Sequence, residues 1–163
     1  MKKEDLNLID PELFKAVLEH PEFGINALKL IISPIRKQPA ETIEIERYDV
    51  VPEVDIQDKA VKVGILFTNG DILMLTIHKN DYFQKDSMIY TFQYRCVDDP
   101  SIVYDEGYKT IYLNPIGKSN KDDAIAEMED YVVNSRSENA INDNLEKLHL
   151  IVEKIRDEKA NIG

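Results

Sequence analysis

VKVGILFTNGDILMLTIH, residues 61–78, decides the fold. Two apolar runs, KVGILF and ILMLTI, flank Asn69-Gly70. Asn-Gly is a strong short-range hairpin signal, because a two-residue turn needs positive φ at both positions. The runs are almost wholly apolar, which predicts central strands buried on both faces. An antiparallel hairpin therefore sits in the middle of a sheet.

Working outward, the sequence ETIEIERYDV at residues 41–50 alternates Ile43 and Ile45 with Glu44 and Glu46. That period of two predicts a half-buried strand. Residues 80–86 read as a polar loop, and residues 87–96, rich in Tyr, Phe, Thr and Ile, as a further strand. A turn-rich loop with Pro100 and Gly107 follows. Residues 108–113 form another strand, closed by Asn114-Pro115. The sheet has about five strands, mostly antiparallel or mixed.

Helices lie on either side of it in sequence. Asp10-Pro11-Glu12 opens the first, with Asp10 as N-cap, Pro11 at the first helical position and Glu12 at the positive end of the dipole. Leu13, Phe14, Val17 and Leu18 make its apolar face, and His20-Pro21 stops it. A second helix covers residues 25–33, with Ala27, Leu28, Ile31 and Ile32 as its stripe and Pro34 as its end. The pair reads as a helical hairpin over the sheet. A third helix begins at Asp122 or Asp123 and runs to about Val133. Ile141, Leu145, Leu148, Val152 and Ile155 step by four and three, a short heptad seam on a last helix. That seam predicts packing onto the chain's own domain or, alternatively, a homodimer through the C-terminal helix. The fold class is α+β in a single domain over 1–163: a helical hairpin (1–40), a sheet (41–115) and two C-terminal helices (120–160). Residues 118–123 and 134–144 are connectors.

Composition narrows the function classes. The chain has 163 residues, 43% hydrophobic, which suits one domain with its own core. Its densest apolar stretch, NALKLIISPI at 26–35, is about half a membrane span and is interrupted by Lys29 and Pro34. No membrane association and no secretory signal are expected. Cys96 is the only cysteine, so an internal disulfide is impossible and a cytoplasmic, reducing location is expected. Net charge is −11; residues 97–163 carry 15 acids and 8 bases, the remainder 16 and 12. Neither half is basic, which argues against DNA as a partner, because phosphate neutralisation drives most nucleic-acid affinity.

Catalytic motifs are scarce. The six glycines are scattered and form no phosphate-cradling loop. HExxH and GxSxG are missing. His20 falls at a helix end, where an imidazolium suits the dipole, and His149 lies beside the apolar seam. His78 ends an apolar strand ahead of Lys79, Asn80 and Asp81, the one cluster with acid–base potential. Glu44, Glu46, Asp49, Glu53, Asp55 and Asp58 gather in one region and read as a solvated face; the central strands hold no acid. Tyr90, Tyr94, Tyr104, Tyr108 and Tyr112 read as core-edge residues, there being little basic interleaving for base stacking.

Residues 90–133 carry one resemblance. YTFQYRC at 90–96, DDP at 98–100, GYKTIYLNPIGKSN at 107–120 and EMEDYV at 127–132 resemble the C-terminal part of bacterial PD-(D/E)XK nuclease-family transposases of the recombination-promoting type. The N-terminal DPELFKAVLEHPE, with ALKLIISP after it, is similar to how those proteins begin. Family members place an aspartate in an apolar strand and Glu-x-Gln or Glu-x-Lys in the next, and the acids bind a divalent metal. The resemblance puts Gly64 at the aspartate, Thr76 at the glutamate and His78 at the Gln/Lys position. Alternatively, ILMLTIHKND matches the later strand before YTF, and the catalytic segment is deleted. The resemblance thus implies an inactive relative with no cofactor, acting if at all as a binding scaffold toward an unknown protein partner or another copy of itself, with DNA a possible partner by resemblance; a decayed product with no present role is an equal alternative. Two other readings stay open. One is an active Mg-dependent nuclease with relocated acids such as Glu44, Glu46 and Asp55. The other is an acidic interaction module that mimics nucleic acid.

Overall fold

A computed structural model describes residues 5–52, 60–104 and 107–162. Helix α1 is Pro11–Leu18 and α2 is Gly24–Arg36. Strands β1 (Ile45–Val51), β2 (Ala60–Phe67) and β3 (Ile72–His78) follow, then β4 (Ile89–Phe92), β5 (Tyr94–Arg95), β6 (Val103–Tyr104) and β7 (Tyr108–Leu113). Helices α3 (Asp123–Val133) and α4 (Asp143–Ile162) complete the order. The α+β class, the N-terminal helix pair, the five-stranded sheet and the two C-terminal helices are as read from sequence.

The sheet order is β1-β2-β3-β7-β4, with β5 and β6 forming a separate two-stranded ribbon. Every pairing in the main sheet is antiparallel except β3 with β7, which makes it mixed. The last strand in sequence thus fills an interior slot, and β4 is left as an edge.

The central hairpin forms where the sequence places it, with a different turn. Only Gly70 of the Asn69-Gly70 pair has positive φ, at 95°. Phe67 N–H reaches the Asp71 carbonyl at 2.9 Å and Gly70 N–H reaches the Phe67 carbonyl at 3.0 Å. This is a three-residue loop closed by a glycine bulge, which needs one left-handed residue instead of two. Asn69 Oδ1 accepts the Asp71 N–H at 2.9 Å and stiffens the turn.

The expectation of strands buried on both faces holds for the end of β3, where Leu75, Thr76, Ile77 and His78 are all buried, and is corrected for β2 and the start of β3. Along β2, Val61, Val63, Ile65 and Phe67 are buried while Ala60, Lys62, Gly64 and Leu66 are half-buried. On β3, Leu73, Leu75 and Ile77 join the same side, and Ile111 and Leu113 of β7 continue it. These side chains form one buried cluster with those of all four helices. On the opposite face, none of Leu66, Ile72, Met74, Tyr108, Tyr112, Tyr90 and Phe92 belongs to that cluster. The sheet therefore carries its helical layer on one side only.

Three local readings also shift. Pro34 does not end α2, which runs on to Arg36. Lys37 turns left-handed (φ 55, ψ 40), and the N–H groups of Lys37 and Gln38 both turn back to the Ser33 carbonyl. The Ser33 hydroxyl donates to the Gln38 carbonyl at 2.6 Å. That cap secures the last turn past a proline that can supply no N–H. β1 starts at Ile45, because residues Ala40–Thr42 form a single 3₁₀ turn that buries Ile43. Asp10 has the extended backbone of an N-cap, but its carboxylate takes the Asn7 N–H at 2.7 Å rather than one from the helix.

Leu145, Leu148, Val152 and Ile155 of the heptad seam are buried in the chain's own core, whereas Ile141 lies outside α4 and is 62% exposed. Among the described residues, no helix is long and apolar enough to cross a membrane.

Candidate functional site

Gly64, Thr76 and His78 share the helix-free face of the sheet. In the ladder Gly64 is opposite Met74, Lys62 is opposite Thr76, and Ala60 is opposite His78. A Cβ at Gly64 would meet Met74 Sδ at 3.0 Å, so an aspartate there would displace the thioether. Thr76 is 5% exposed and its hydroxyl has no hydrogen-bond partner. His78 Nδ1 lies 2.8 Å from the Asn80 carbonyl. The Asn80 N–H also reaches Nδ1, at 3.3 Å, so the Asn80 backbone offers this nitrogen both an acceptor and a donor. Tyr82 leans on the imidazole with ring centroids 5.4 Å apart.

Two of the acids proposed as relocated ligands, Glu44 and Glu46, lie at the start of β1. Glu44 and Glu46 are exposed on the approach to β1 and on its irregular first ladder rungs. The Glu44 carboxylate accepts the Thr68 hydroxyl at 3.2 Å. Asp49, opposite Gly64, is the one acid of β1 facing the open side. Asp55 lies outside the described residues, with Glu53 and Asp58. Among the described residues, no three His, Cys, Asp or Glu side chains converge as a metal site.

What the helix-free face does gather is aromatic. The ladder of β4 with β7 sets Tyr90 opposite Tyr112 and Phe92 opposite Thr110. Strand period then places Tyr108, Thr110 and Tyr112 on the same face. Phe83, from the loop after β3, lies in the middle, with ring centroids 4.9 Å from Tyr90, 5.1 Å from Phe92 and 5.0 Å from Tyr112. Tyr82 stacks along Tyr112 at 6.2 Å, and Tyr94 meets Tyr108 at 5.4 Å. Between Phe83, Phe92, Tyr94, Tyr108 and Tyr112 lies a groove of about 290 Å³. Its rim stays open to water, with Phe92 43% and Tyr94 57% exposed, and Tyr82 beside Tyr112 is 62% exposed.

Asp81 holds that loop in place. Its carboxylate accepts the N–H groups of Gln84 at 2.9 Å and Asp86 at 2.7 Å, and the Tyr90 hydroxyl at 2.9 Å. Gln84 and Asp86 are both left-handed, φ 55 and 59, conformations that non-glycine residues adopt only when held. Desolvation acts to raise the Asp81 pKa, but the Tyr90 hydroxyl and the backbone donors outweigh it and lower it. Reading residues 80–86 as a polar loop missed Tyr82 and Phe83. Phe92 and Tyr112 were legible in principle from the two-residue period of their strands.

The remaining histidines are structural. The Tyr131 hydroxyl lies 2.8 Å from His149 Nδ1, a bond that a neutral imidazole accepts. Burial lowers the His149 pKa, with Glu153 opposing and Arg156 and Arg136 assisting. Burial also raises that of Tyr131. His20 Nδ1 faces the N–H groups of Glu22 and Phe23 at 3.1 and 3.2 Å. Its Nε2 lies 3.2 Å from the Glu158 carboxylate, so His20 ties the end of α1 to α4. Arg156, 4% exposed, donates to the Leu6 carbonyl at 2.5 Å and the Ser135 carbonyl at 2.9 Å. It ties the N-terminal segment to α4.

Comparisons of the chain with family models, with curated proteins and with solved structures found no match.

Proposed function

We propose that this chain is a non-catalytic protein-binding module that works through the aromatic groove on the helix-free face of its sheet. The observation that carries this reading is the groove itself: five aromatic rings gathered on one face, outside the buried core, with Phe92 and Tyr94 exposed. Contiguous exposed apolar surface is costly in water, and aromatic side chains are the residues that carry binding energy at protein interfaces. Gly64 and Thr76 offer no anionic ligand, and the resemblance at residues 90–133 supports descent from a nuclease whose acids were lost.

A photo-crosslinking residue placed at position 92, on the groove, and another at Leu150, which is 65% exposed on α4, test the reading inside cells. A discrete protein adduct from position 92, missing from position 150 and lost with Tyr94→Asp, is the expected result. Equal adducts from both positions, or none from position 92, overturn it. Plasmid cleavage with Mg²⁺ or Mn²⁺ that disappears with chelator and with Glu44→Ala would replace it with a nuclease.

A further inference from the structure

Glu129 lies on the buried side of α3, in register with Ile125 and Val132. It is 0% exposed, and neither carboxyl oxygen has a hydrogen-bond partner. An ionised carboxylate in that position would lose its hydration and gain nothing in exchange, whereas the neutral acid costs far less.

Several charged groups of the segments around α3 have partners other than Glu129. On α2 and its cap, Arg36 pairs with Asp71 and stacks on Phe67, and Lys37 pairs with Asp122. On the N-terminal segment, Asp5 faces Arg136 and Asp10 holds the Asn7 N–H. On α4, Arg156 serves two backbone carbonyls and Glu153, and His149 serves Tyr131. The 3₁₀ turn Ser137–Asn139 brings Glu138, which is exposed. Asp130, next along α3 and exposed, adds like charge. Burial first and Asp130 second push the Glu129 carboxyl up to about 8.

We propose that Glu129 is a proton-held latch: α3 docks with this side chain as the neutral acid, and its ionisation releases α3 from the core. The helix is suited to local release. It contributes nothing to the sheet ladder, and its ties include packing against α2, the Lys37–Asp122 ion pair at its N-cap, the Tyr131–His149 and Asn142–Glu127 bonds, the Ser135 hydroxyl that links the Tyr131 carbonyl to the Leu8 N–H, and one N–H from Ile9 to the Val132 carbonyl. The direction follows from linkage. A carboxyl with a raised folded-state pKa stabilises the docked form fully below its unfolded value of 4.5 and loses that stabilisation as pH rises through about 8. Between those values the docking equilibrium falls by up to about tenfold per pH unit.

Two measurements on the full chain test the latch. Titration of the Glu129 side-chain carboxyl by ¹³C NMR should show a midpoint far above the ordinary carboxylate range; a midpoint near 4 to 5 overturns the proposal. Hydrogen-exchange protection of α3, corrected for intrinsic rates, should fall by about tenfold between pH 7 and 9, most of it below pH 8, while β2 and β3 stay protected. Unchanged α3 protection, or equal loss in helix and sheet, also overturns it. Glu129→Gln should abolish the pH dependence of α3 protection, and Glu129→Leu serves the same purpose if the glutamine variant folds poorly. A pH dependence that persists in the variant that folds removes Glu129 as its source.

Discussion

Thr76 and Arg156 show opposite ways for a buried polar group to behave. The Thr76 hydroxyl is buried without a partner between Lys62 and Tyr112 on neighbouring strands. Replacing it with valine keeps the β-branched shape and removes an unsatisfied group. Thr76→Val is expected to raise stability by about 0.5–1 kcal/mol in urea denaturation. A loss of similar size would show that the hydroxyl has a partner. Arg156 is the reverse, with two buried carbonyls depending on its guanidinium. Arg156→Ala should cost about 3 kcal/mol and loosen residues 6–9, because both carbonyls would be left unpaired beside a cavity. Sequence could flag Thr76 as a residue of the wrong chemistry for a metal ligand. It could not show Arg156 as a clasp, because the carbonyls it holds lie about 150 and 21 positions away.

Elements were legible where a local rule dominated and shifted where tertiary bonds intervened. The hairpin, the start of α3 at its Asp122 cap and the α4 stripe follow from turn chemistry and period, and Asp122 does accept the Ile125 N–H at 3.1 Å. Pro34 misleads because a proline in the last turn can be outlasted by a good C-cap. The 80–86 loop is the larger miss: its polar composition hides two aromatic anchors and one organising carboxylate. Asp81 has a lowered pKa, so its contribution is complete above the unfolded carboxylate range and is lost only as pH falls through the lowered value. The loop should therefore stay ordered at pH 5 and loosen in stronger acid. Asp81→Ala should loosen it at neutral pH, read as faster ring flipping and sharper lines for Phe83 by NMR. An unaffected Phe83 would show that the aromatic packing alone holds the loop.

For the molecule as a whole, the arrangement that matters is one covered and one bare side of the same sheet. Sequence suggested full coverage because the runs at 62–67 and 72–77 are apolar on both parities. The bare side lacks a helical layer; the Tyr82–Phe83 loop packs on part of it, where Thr76 and His78 are buried, and the rest is half-buried or exposed. The hierarchy of protection should follow from this. Backbone amides of β2, β3 and β7, inside the sheet and over the helices, should exchange slowest, and those of the exposed β5–β6 ribbon fastest. A ribbon as protected as β3 would indicate that something covers the bare side. Removing aromatic rim residues should leave this hierarchy intact: Tyr94→Asp is expected to change the unfolding midpoint little, since the ring is more than half exposed.

The strand order has a consequence for how the chain is made. β7 occupies the slot between β3 and β4, yet both of its neighbours leave the ribosome before it. During synthesis the apolar edge of β3 stays unpaired until residues 108–113 emerge, and β4 has no place in the sheet until then. The helices that cover Leu73, Leu75 and Ile77 from the C-terminal side arrive later still. A nascent chain paused near residue 100 would hold only the antiparallel trio β1, β2 and β3, with one long sticky margin open to other chains. The most aggregation-prone moment in the life of this protein is set by its topology, and it ends when a six-residue strand slides into the gap.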